Sequence, residues 1–108
     1  MFVTEDMMHD AMVALNDRDA AELQAAYEKL TRDRKRLLAR LERESNGKTQ
    51  RERDTYALTH PHLTAHDERL DAVEKAWFAK RDLKDAAREF VRVWQTENAN
   101  ARAAERVR

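Results

Sequence analysis

Three histidines fall within a short stretch of this chain, His60, His62 and His66, with only His9 elsewhere. His62 and His66 are spaced to share a helix face, where two imidazoles can hold a metal ion. A catalytic metal site also needs a third protein ligand, an open position and a nearby base, and the sequence has no HExxH arrangement. The three are therefore read as solvated residues around a helix start, and neither a metal nor any other cofactor is expected. Asp67, Asp71 and Glu74 follow closely, but carboxylates on a charged helix with no pocket in prospect read as ion-pair partners rather than as an acid and a base. A single glycine, Gly47, excludes a glycine-rich phosphate loop, and the absence of cysteine excludes thiolate chemistry, disulfides and sulfur-ligated zinc. With no nucleophile, base and orienting group in reach of one another, the protein is not expected to be an enzyme.

The basic residues are the stronger signal. Arg32, Arg36 and Arg40 recur at steps of four, Arg43 stands beside them, and Lys48, Arg51 and Arg53 follow around a turn. Like charges at that spacing cost an isolated helix roughly 0.2–0.5 kcal/mol per pair, so local stability does not account for them. Either a neighbouring helix supplies acids or a polyanion is the partner. For single-stranded nucleic acid the candidate residues are Arg36, Arg40, Arg43, Lys48, Arg51 and Arg53, with Tyr56 offering a ring for base stacking.

The elements that carry these residues must be helices. The 108 residues are 39% charged and 42% hydrophobic with one proline, a composition of long helices or coiled coils. Thr4 before Glu5 and Asp6 marks a first helix start, and the polar run Asn16 to Asp19 predicts a bend or a fresh start. Leu23, Tyr27, Leu30, Leu37 and Leu41 fall at alternating steps of four and three if Arg34 fills the gap, a heptad-like seam. Ser45-Asn46-Gly47 predicts a helix end in which Asn or Gly takes the left-handed conformation. Thr49 with Glu52 has capping-box spacing and starts a short helix. His60-Pro61 breaks it, and either Pro61 or Thr64 opens the last helix.

The expected helices are therefore near 5–45, 50–59 and 62–100, with a connection over 46–62, a frayed tail over 101–108 and no strand, in a single all-α domain. The last helix carries an apolar stripe of Leu70, Val73, Trp77, Leu83, Phe90 and Trp94. Its two tryptophans read as packing residues, and because a two-helix hairpin leaves this stripe partly uncovered, self-association into a homo-oligomer through it is expected.

The neutral net charge conceals an alternation. One base stands against seven acids over 1–28, ten against four over 29–53, two against five over 54–79, and eight against five over 80–108. Two long helices folded into an antiparallel hairpin would set acidic quarters against basic ones, with Asp67, Asp71 and Glu74 flanking Arg36, Arg40 and Arg43. No N-terminal basic-then-apolar segment and no run long enough for a membrane span is present, so a cytoplasmic protein without membrane contact is expected.

The stretch Gly47-Lys48-Thr49-Gln50-Arg51-Glu52-Arg53-Asp54, with the later Trp94-Gln95-Thr96-Glu97-Asn98-Ala99-Asn100-Ala101-Arg102-Ala103, resembles a group of small helical proteins of tailed phages. In that group a GKTxxER turn separates two long helices and an R/W-x-x-x-N-A-x-x-R pattern ends the second. In layout the chain is more distantly similar to the UvsY-type recombination mediators of T-even phages. The resemblance implies a self-associating helical accessory of recombination and replication that contacts single-stranded DNA, a recombinase or a single-strand-binding protein. It points to Lys48 through Arg53 and to Asn98, Asn100 and Arg102. The alternative is a protein-interaction module, an inhibitor or adaptor of a host protein that touches no nucleic acid.

Overall fold

The computed structural model describes residues 3–107, with the side chain of Val107 excepted. The fold is all-α, and the elements in chain order are α1 (Glu5–Leu15), α2 (Arg18–Glu44), α3 (Gln50–Thr59) and α4 (Pro61–Val107). Two long helices thus flank a turn and a short helix, a hairpin-like and coiled-coil-like arrangement. The chain packs as two compact units: Ala21–Trp77, and the residues up to Ala20 together with those from Phe78 onward. The first is called the hairpin unit below and the second the terminal unit.

The helix boundaries follow from local chemistry. Thr4 accepts from the Met7 N–H at 3.2 Å and caps α1. The helix stops at Leu15, and Asp17 caps the next one by accepting from the Asp19 N–H at 2.9 Å. Thr49 accepts from the Glu52 N–H at 3.1 Å, and the Glu52 carboxylate reaches back past the usual capping-box partner to the Lys48 N–H at 2.8 Å. Pro61, rather than Thr64, opens α4, where its missing N–H costs nothing. His60 caps that helix, its Nδ1 accepting from the His62 N–H at 3.0 Å. Helical backbone continues beyond Asn100 to Val107, in a segment rich in alanine and free of glycine and proline.

Gly47 corrects an expectation. Among the described residues no glycine has positive φ, so the turn does not use its left-handed freedom. The residue is small because the chain doubles back on it: a Cβ there would lie 2.7 Å from the Glu52 Cβ and 3.1 Å from the Arg53 amide nitrogen.

In the hairpin unit α2 and the start of α4 run antiparallel. Leu41, Ala57 and Leu63 form the buried cluster, with Leu37 and Leu38 packed against it. Arg34 sits in the α2 seam and forms a two-pronged pair with Asp67, Nε to Oδ1 at 2.7 Å and Nη2 to Oδ2 at 3.3 Å. Of the acids expected to flank the α2 arginines, only Asp67 forms an ion pair across helices among the described residues, and it does so with Arg34. Arg36 and Arg40 lie on the flank of α2 and pair within it, with Asp33 at 3.7 Å and Glu44 at 3.6 Å.

In the terminal unit Ala11, Ala20 and Ala87 are buried. Lys80, half-buried, lies where an apolar seam residue would otherwise stand, and its ammonium reaches Asp17 at 2.6 Å. That hydrogen bond holds the Asp17 carboxyl below the usual carboxylate range, against the effect of burial and with help from the Asp19 N–H. A depressed folded-state value means the unfolded chain takes up the proton first. The stability contributed by the pair is therefore full above the ordinary aspartate range and lost as pH falls through it. The melting temperature of the parent should accordingly fall more steeply below about pH 4 than that of Asp17→Asn, and equal slopes would refute the assignment.

Candidate functional site

The hairpin unit carries an open groove of about 740 Å³ along the flanks of α2 and α4. From α2 it receives Arg36, Arg40 and Arg43, which the spacing of the sequence had already aligned. From α4 it receives His62, Ala65, His66 and Arg69, residues that lie on one face of a helix because they recur at steps of three and four. Ala65 is small and leaves the space open. Asp33 is the one acid in the lining among the described residues, and it is the carboxylate beside Arg36. Arg43 and Arg69 are exposed and have no ion pair among the described residues. Such a groove can bind anions: two free guanidiniums, each able to grip a phosphate with two parallel N–H bonds, stand beside two more that are only loosely engaged.

His66 departs from the expectation of a solvated histidine. It is 5% exposed, and its Nε2 donates to the Leu30 carbonyl at 2.8 Å. A carbonyl only accepts, so Nε2 carries a proton. The physical reason is register: His66 takes the seam position after Leu63 and is buried there, whereas His62, one turn earlier on the same face, is exposed. His60 is committed to capping α4 and stacks edge-on with Tyr56 and His62, at 5.5 and 4.7 Å between ring centres. Among the described residues no three His, Cys, Asp or Glu side chains converge as metal ligands would.

The structure divides the residues that the sequence grouped for nucleic-acid contact. Arg36, Arg40 and Arg43 share the groove, but Lys48, Arg51 and Tyr56 do not line it. Arg53 folds back onto the turn, its guanidinium donating to the Gly47 and Lys48 carbonyls at 3.4 and 3.5 Å and to Gln50 at 3.2 Å. It holds the turn closed. Arg69, His62 and His66 complete the groove and were not singled out for it, although their shared helix face was a usable signal.

The six residues of the expected self-association stripe are also divided. Leu70, Val73 and Trp77 are half-buried in the hairpin unit, and Phe90 is half-buried in the terminal unit. Leu83 and Trp94 are 59% and 39% exposed. Trp94, Asn98 and Arg102 share one face of α4 beside a shallow groove. Among the described residues no helix is long and apolar enough to cross a membrane. No protein-family model matches this chain, and neither a curated protein nor a solved structure shows significant similarity to it.

Proposed function

We propose that this protein is a small, non-enzymatic accessory of single-stranded DNA handling, of the kind that serves phage recombination and replication, and that it binds the phosphodiester backbone along the groove of the hairpin unit. The observation that carries this reading is the convergence of Arg36, Arg40, Arg43 and Arg69 on one open groove whose lining, among the described residues, holds a single carboxylate, that of Asp33. A purely structural role would have paired these cations across the helices, as Arg34 is paired. Arginine supplies four of the residues that line the groove, which favours contacts to the phosphodiester backbone and sequence-independent binding.

A labelled single strand of mixed sequence, titrated by fluorescence anisotropy, tests the reading. Three or four phosphate contacts predict that raising salt from about 50 to about 200 mM weakens binding roughly 20- to 50-fold. Absence of binding at the lower salt, or binding indifferent to salt, would remove the nucleic-acid reading and leave the protein-docking alternative.

A further inference from the structure

The terminal unit carries a second groove, of opposite character, between α1 and α4. It measures about 180 Å³, its floor is made of Ala11, Ala14, Ala86 and Ala87, and its walls are Met7, Leu83 and Phe90. Alanines on both sides let the backbone of a further helix come close, and Leu83 stands 59% exposed at the rim as an apolar contact without cover. Among the described residues the one charged residue in the lining is Asp10, and no base lines it. Asp6 lies one helical turn before Asp10 on the same side of α1, and Asp82 adjoins Leu83 with its side chain 72% exposed, 3.5 Å from the neighbouring Arg81.

From this apolar floor and acidic rim we infer that the terminal unit is a docking site for an amphipathic helix of a partner protein, apolar on one face and basic along its flanks. Charge decides among occupants. A second copy pairing groove to groove would set Asp6 and Asp10 against an identical acidic rim, and like charges across an interface disfavour it. A helix flanked by lysine or arginine meets the rim with opposite charge while its apolar face covers Leu83 and Phe90, the helix-in-groove mode of recognition. This inference stands on different residues from the nucleic-acid reading and does not depend on it.

Two labelled helical peptides of about 20 residues test it on the full chain, sharing one leucine face and carrying either lysine or glutamate elsewhere. The lysine peptide should bind saturably and the glutamate peptide at least about tenfold more weakly. Leu83→Glu is the decisive variant, because it adds negative charge and so would strengthen a merely electrostatic attachment. Here it should weaken the lysine peptide at least about tenfold, and Leu83→Gln should weaken it as well, with helicity by circular dichroism unchanged. Failure of the lysine peptide to bind would overturn the proposal, as would undiminished binding by both Leu83 variants. So would self-association of the parent that Leu83→Glu abolishes, since the occupant would then be a second copy.

Discussion

Leu63→Ala is expected to lower the unfolding free energy by about 2–5 kcal/mol, the cost of removing a buried leucine together with the cavity left behind. Leu63 is almost wholly enclosed by Leu41, Ala57, Leu37 and Leu38. The cavity cannot readily collapse, because Ala57 has no further atoms to move into it and the two helices are fixed close by through Arg34 and Asp67. A domain of this size commonly holds about 5–15 kcal/mol in total, so the loss is a large fraction of the whole. The melting temperature should drop by more than about 10 °C. Leu58, 57% exposed on α3, is the control, and Leu58→Ala should change stability by less than about 0.5 kcal/mol. Similar losses for the two variants would show that the core lies elsewhere.

The second large effect is expected on nucleic-acid binding. Arg43→Ala combined with Arg69→Ala removes the two groove cations that have no ion pair among the described residues, one from each helix. If each contacts one phosphate of a single strand, the slope of log affinity against log salt should flatten by about 1.4, and affinity near 0.1 M salt should fall roughly 10- to 30-fold. Helicity should be unchanged, because both side chains are exposed. Lys48→Ala with Arg51→Ala removes the same charge from outside the groove and should cost less. If that pair proves the more damaging, the strand follows the turn and not the groove. Arg53 belongs in neither variant, since its loss would release the Gly47 and Lys48 carbonyls and confound folding with binding.

Much of this architecture was legible before any coordinates, and the reason is that helix ends are written locally. Thr4, Thr49 and Pro61 act within a few residues of themselves, and the structure uses each at the helix start it marked. The α2 seam was legible too, because its leucines keep heptad spacing around Arg34. The α4 seam was harder. Apolar residues picked along the sequence include Leu83, whereas the seam passes through Lys80 and Lys84, both half-buried, and leaves Leu83 at the surface. An aliphatic stem with a charged tip can serve at a seam, and hydrophobicity alone does not reveal which lysines do so. The candidate site was half legible for a related reason. The α2 arginines are aligned by their own spacing, but Arg69 joins them only through the register of one helix against another. That register also determines that Asp67 meets Arg34 and not Arg36, Arg40 or Arg43.

The division into two units bears on the order of folding. The Arg34 to Asp67 contact of the hairpin unit closes 33 residues of chain, whereas the Val3 to Glu97 hydrogen bond of the terminal unit closes 94. For a flexible chain the longer closure costs roughly 1 kcal/mol more in entropy, and that difference falls away once the hairpin has formed and shortened the effective loop. The hairpin unit is therefore expected to nucleate folding, with the two ends of the chain joining afterwards. Trp77 lies in the first unit and Trp94 in the second, so single-tryptophan variants followed in rapid-mixing refolding report each event separately. A Trp94 signal that precedes that of Trp77 would reverse the order.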